Sequence, residues 1–190
     1  MLYIDVSLKN TYVNEIMKKV IAILLGALFI TSSHGESTFS AEITDENWGG
    51  KRIPRDHVCK RFGGKDAHSP QIRVIGIPQE ATAILLSFND ETYGPMNRGG
   101  HGMLIFDHQG ASAALVPSIP AETSEIPELF TAFKDHRGSS WSRTKGAYLP
   151  PCSGGSNNFY SVEISAVIMG GDKRTITKTI STVKVVMGRY

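Results

Sequence analysis

Asp90, Glu91 and His101 are the side chains of this sequence best placed to do chemistry together. They stand at the two ends of the stretch Asn89 to His101, carboxylates at one end and an imidazole at the other, with Gly94, Pro95, Gly99 and Gly100 between. A carboxylate accepts hydrogen bonds, and an imidazole donates or accepts them near neutral pH, so the pair fits the binding or conversion of a small polar molecule. An ordinary solvated connection is the competing reading, because polar loops are the norm. The elements that must hold these groups are the apolar runs on either side, Ala83-Ile84-Leu85-Leu86 and Met103-Leu104-Ile105-Phe106. Each is long enough for one strand and too short for a helix, so they read as neighbouring buried strands. A loop carried by a rigid sheet is where binding groups concentrate.

Other chemistries find less support. No GxSxG elbow, HExxH pair or CxxC motif occurs in the chain, which removes the signatures of common hydrolases, zinc proteases and thiol oxidoreductases. His101 and His108 could share a metal, but their odd separation along a strand points them to opposite faces. His57, His68 and His136 read as plain surface residues. The sequence therefore leads us to expect no catalysis, no metal and no cofactor.

With 190 residues, 41% of them hydrophobic and 20% charged, the chain is large enough for one domain with a proper core. A net charge of +2 without a basic cluster argues against nucleic acid as a partner. Met17-Lys18-Lys19, the uncharged run Val20 to Ile30 and the small polar patch Thr31 to Gly35 follow the order of a secretory signal peptide. Residues 17–35 are read as that peptide, cleaved after Gly35, with 1–16 an upstream extension and 36–190 the mature domain. The apolar run is too short to span a bilayer in the usual way, and no Cys follows it to carry a lipid, so the mature chain is expected without a transmembrane segment, in the periplasm or secreted. Of the two cysteines, Cys59 and Cys152, an oxidising compartment favours one bridge worth roughly 4 kcal/mol in the chain-entropy model; two separate buried thiols are the alternative.

Along the mature chain, period-2 alternation marks an opening strand in 36–43, with Phe39, Ala41 and Ile43 on one side. Ile72, Val74 and Ile75 form the next strand, and Ala113 to Val116 another. Glu125 to Lys134 places Ile126, Leu129, Phe130 and Phe133 at helical spacing behind Ser124, which predicts a short capped helix. Gly138 to Gly155 is a long irregular stretch, of a length that is usually functional or pinned by a crosslink. Phe159 to Met169 alternates, Tyr160, Val162, Ile164 and Ala166 against Ser161, Glu163 and Ser165, and reads as a half-buried strand. Thr175 to Met187 is β-branched and reads as a strand, with a helix as the alternative. There is no internal repeat.

Several of these pieces, in order, resemble the phosphatidylethanolamine-binding protein (PEBP) family, which includes the Raf kinase inhibitor proteins. Ile53-Pro54 with Val58-Cys59 is similar to the family's IPxxYxC segment, and Ser69-Pro70 to its serine-proline pair. Asn89-Asp90-Glu91-Thr92 stands for the DPDAP loop, His101-Gly102-Met103-Leu104 for the histidine that opens a strand, and Ser118 to Thr123 for the NIPA segment. Gly138 to Tyr148 resembles GxNxxGxxGY, Pro151-Cys152 the GPCPP element, Asn158-Phe159-Tyr160 the HRY triplet, and Gly188-Arg189-Tyr190 the usual ending.

The resemblance implies a mainly β fold, two antiparallel sheets with short peripheral helices, and a small pocket for phosphate-like anions or phospholipid head groups. By position the pocket residues are Asp90, His101, Pro151, Asn158 and Tyr160, with either Asn89 or Asp90 first in the acidic loop. It also sets Cys59 and Cys152 where exported members carry a cysteine pair. The departures are the lost prolines of DPDAP, Ser153-Gly154 in place of the paired prolines, and Asn158 in place of a histidine. A neutral amide keeps a donor but forfeits a potential charge, so anion affinity is expected to be weakened or the ligand changed. In the implied site His101 and Tyr160 donate to the head group, while Asp90 orients His101 or accepts from the ligand. The alternative is a secreted interaction or inhibitor protein that acts on a protein partner and keeps a vestigial pocket.

Overall fold

The computed structural model describes residues 38–48, 50–142 and 145–190; the signal peptide and upstream extension read in residues 1–35 lie outside them. Two antiparallel sheets organise the chain. The smaller has the order β1 (Ser40–Ile43), β2 (Ile72–Ile75), β5 (Ala113–Val116). The larger runs β6 (Phe130–Lys134), β4 (Met103–Phe106), β3 (Ala83–Asp90), β7 (Phe159–Met169), β8 (Ile176–Arg189). Among the described residues, helical structure is confined to short turns at Arg55–His57, Lys60–Phe62 and Gly94–Met96 and to α1 (Ser139–Ser142).

Burial explains which strand went where. All eight residues of β3 are buried, as befits a strand with neighbours on both edges and cover on both faces. β2 alternates instead, Ile72 and Val74 inward and Arg73 and Ile75 outward, because only one face of the small sheet is packed. Ile72, Val74 and Val116 meet Ile84, Leu86, Phe88, Leu104 and Val162 in the main core. Each such side chain contributes about 1.5–3 kcal/mol by leaving water. Ala83, Leu85 and Val167 form a smaller cluster on the outer face of the large sheet. β7 is more enclosed than its alternation implies: Ser161 and Ser165 are buried too, the first donating to Glu91 Oε1 at 2.5 Å and the second sharing a hydrogen bond with Thr182 at 2.8 Å.

The short helix expected over Glu125 to Lys134 does not form. Phe130–Lys134 is strand β6, paired along the edge of β4 with Phe106 opposite Phe130. An isolated helix of this length is marginal in water, whereas β4 offers a ladder of backbone partners and an aromatic contact, Phe106 to Phe130 at 5.1 Å. The histidines also depart from expectation. His57 is buried, stacked on Trp48 at 5.3 Å and 4.0 Å from the ring of His68, and His136 is buried as well.

Cys59 and Cys152 form a disulfide with Cα atoms 5.2 Å apart, packed against Met96 and Leu149. β7 and β8 pair over their length with three register irregularities. At its C-terminal end β8 is met from outside by residues 51–53: Ile53 N–H donates to Arg189 O at 2.9 Å and Arg189 N–H to Lys51 O at 3.1 Å. Among the described residues no helix is long and apolar enough to cross a membrane.

Candidate functional site

The site is built where β3 ends and β7 begins. Their antiparallel register sets Asp90 opposite Tyr160. Asp90 is buried, and its Oδ1 accepts the backbone N–H groups of Thr92 and Tyr93, both at 3.0 Å, which turns the chain out of the strand. Its Oδ2 accepts from Asn158 Nδ2 at 2.6 Å. Asn89 is committed elsewhere, its Oδ1 accepting Gly99 N–H at 2.7 Å. Period-2 geometry turns neighbouring strand residues to opposite faces, and Asp90 is the one that reaches the cavity.

His101 enters from the other side, on a glycine-flanked turn. Gly102 has φ +115°, and a Cβ there would sit 1.8 Å from Ala147 O, so the segment 147–149 lies directly against the turn. That closeness lets the two segments exchange bonds. Leu149 N–H donates to His101 O at 2.9 Å, and His101 Nδ1 lies 2.9 Å from Leu149 O. A carbonyl oxygen only accepts, so Nδ1 carries the proton and Nε2 of the neutral ring is a bare lone pair. Nε2 is buried with no hydrogen-bond partner among the described residues. Burial pulls the His101 pKa from 6.5 down to about 4, with the Leu149 and Pro150 carbonyls and the Asp90 carboxylate working against it and His136 with it. The ring is therefore neutral at pH 7. It stands edge-on to Tyr160, centroids 5.3 Å apart.

Tyr160 Oη accepts the backbone N–H of Cys152 at 3.2 Å. Burial first, and then the nearby Asp90 charge, raise its hydroxyl above the usual phenol range, against hydrogen bonding by Ser153 and Cys152. The loop after the disulfide closes the wall. Ser153 Oγ donates to Tyr190 O at 2.7 Å and Ser156 Oγ to Ser153 O at 2.8 Å. Asn158 is held by paired backbone bonds to Tyr190, at 2.8 and 3.1 Å.

Asp90, His101, Asn158 and Tyr160 thus line one cavity of about 470 Å3. The rest of its wall is Thr92, Tyr93, Cys152, Ser153 and Ser156, and among the described residues no Lys or Arg lines it. Pro151 is absent from the lining; it is buried and its carbonyl accepts Cys59 N–H at 3.0 Å beside the disulfide. The wall residues that the sequence did not single out are neighbours of those it did. Thr92 and Tyr93 follow Asp90, and Ser153 and Ser156 follow Cys152, so adjacency was the available signal. Chemically the cavity has one acid, one neutral imidazole presented as an acceptor, and hydroxyls largely committed to the protein.

No protein-family model matches the chain, and no curated protein matches it. Among solved structures it is similar to E. coli YbcL, described as a new member of the mammalian PEBP family. The TM-score is 0.51 and the identity 14%, over 81% of this chain and 98% of that one. At that identity the likeness speaks to the fold.

Proposed function

Taking as premise that the chain carries the PEBP fold, we propose that it is an exported binding protein whose cavity holds one small polar head group of the phosphate-ester or phospholipid type. The observation that carries this reading is convergence. Asp90 from the end of β3, His101 from the glycine turn, and Asn158 and Tyr160 from the start of β7 meet in one concave site beside a disulfide. Concave sites with a few convergent polar groups are where small molecules bind.

Export is supported by the basic, apolar and small-residue order at the N-terminus and by a disulfide that belongs in an oxidising compartment. Binding without turnover is supported by the state of the lining. Cys152 is bridged and the Ser153 and Ser156 hydroxyls donate to carbonyls, so none of the three is poised as a nucleophile. With the Asp90 carboxylate and no Lys or Arg in the wall among the described residues, a phosphate dianion is held weakly.

Titration of the purified protein with phosphorylethanolamine, followed by NMR, tests the reading. Shifts confined to His101, Tyr160 and their neighbours are expected. A silent cavity would favour the alternative of an interaction protein that engages a protein partner through its loops.

A further inference from the structure

Tyr93 and His101 both stand in the cavity wall, and between them the chain runs through Gly94-Pro95-Met96-Asn97-Arg98-Gly99-Gly100. Three glycines give this backbone many alternatives, and Arg98 and Gly99 sit at positive φ, +52° and +72°. Such a stretch keeps one conformation where other groups hold it. The end of β3 holds its two flanks: Asp90 Oδ1 accepts from Thr92 and Tyr93, and Asn89 Oδ1 from Gly99.

The middle is held from a distant part of the chain. Arg137 lies in the connection between β6 and α1, exposed and outside the cavity lining. Its Nε donates to Pro95 O at 2.9 Å, its Nη2 donates to Asn97 O, and its backbone N–H donates to Gly100 O at 2.9 Å. A guanidinium is a rigid planar fork that reaches two carbonyls at once, and its charge strengthens both bonds. The preceding residue, His136, donates its N–H to Gly146 O at 3.4 Å, next to the segment 147–149 that packs on Gly102 and bonds His101. Residues 136 and 137 thus join the loop before His101 to the segment behind it.

We propose that Arg137 is a positioning residue for the cavity: by holding Pro95 O and Asn97 O it fixes where Tyr93 and His101 stand before a ligand arrives. This rests on the reading of the cavity as a ligand site and adds a residue, remote from the ligand, that sets its affinity through preorganisation.

The test compares wild type, Arg137→Ala and Arg137→Lys at pH 7.5, with phosphorylethanolamine affinity measured by NMR titration and amide hydrogen exchange followed at Met96, Asn97 and Gly99. Arg137→Ala should bind at least fivefold more weakly and exchange these amides at least tenfold faster, with exchange in β3 and β7 unchanged. Arg137→Lys keeps the charge without the fork and should bind at least twofold more weakly than wild type. Ethylguanidinium, added to Arg137→Ala, should restore at least half of the lost affinity and slow the loop amides, whereas equal sodium chloride should do neither. Wild-type affinity in Arg137→Ala would overturn the positioning role and leave the cavity a ligand site. Weaker binding that ethylguanidinium does not restore, with β3 and β7 exchanging faster as well, would also overturn it, because the loss would then be one of general stability. Wild type silent toward phosphorylethanolamine would overturn the reading of the cavity and the positioning role with it.

Discussion

Asn158 Nδ2 donates to Asp90 Oδ2 at 2.6 Å, so the residue just before β7 is latched to the last residue of β3. This contact makes a charge test of the site available. In Asn158→Asp two carboxylates would share the position, and one of them would titrate above the unfolded value of about 3.9. A raised carboxyl pKa means stability is intact below about pH 4 and lost as pH rises through the folded value. Thermal melts from pH 4 to 8 should show the variant falling progressively below wild type as pH increases. A pH-independent difference would mean the two side chains do not meet.

His101 gives the opposite slope. The unfolded chain protonates it near 6.5 and the folded chain only near 4. Its neutral burial therefore leaves stability complete above pH 6.5 and removes it as pH falls toward 4, by on the order of 3 kcal/mol in full. Burial lowers His57 and His136 too, so wild type carries their contributions in the same direction. Urea unfolding at pH 7.5 and pH 5 should show a smaller acid loss in His101→Gln than in wild type. An unchanged loss would place the proton uptake on the other histidines.

The disulfide closes a loop with a sequence separation of 93. Replacing Cys59 and Cys152 together by Ala should lower unfolding free energy by roughly 4 kcal/mol, read as a shift in the urea midpoint. Because the disulfide also anchors the segment whose backbone N–H at position 152 donates to Tyr160 Oη, losing it should weaken phosphorylethanolamine binding even under conditions where the variant remains folded.

Gly102 and Gly50 form a matched pair. Both have positive φ, +115° and +74°, yet a Cβ at Gly102 meets Ala147 O at 1.8 Å while one at Gly50 meets nothing within 4 Å. Gly102→Ala should cost more than about 2 kcal/mol, and Gly50→Ala about 1 kcal/mol from backbone strain alone. Equal melting temperatures for the two variants would refute the close packing of segment 147–149 on the His101 turn.

Strands β4, β5 and β7 have the bounds that apolar runs and alternation indicate, because each satisfies its burial locally along the chain. β6 departs from the expected helix for the converse reason. Phe130 to Lys134 fits a helical stripe as well as an edge strand, and only the free edge of β4, distant in sequence, decides between them. The site shows the same division. Asp90, His101, Asn158 and Tyr160 were named from motif order and stand around one cavity, whereas Pro151 is turned to structural work beside the disulfide. What the order of residues does not carry is proton placement. His101 was expected to donate, but the carbonyl that fixes its tautomer belongs to Leu149, in a segment with no motif of its own.

The irregular pairing of β7 with β8 and the cover that residues 51–53 lay over the end of β8 have a colloidal consequence. A long, flat outer strand is a template on which a second molecule can zip up. Bulges twist this rim of the sheet, and the 51–53 segment occupies backbone groups at its end, so edge addition along β8 finds no straight surface on which to start.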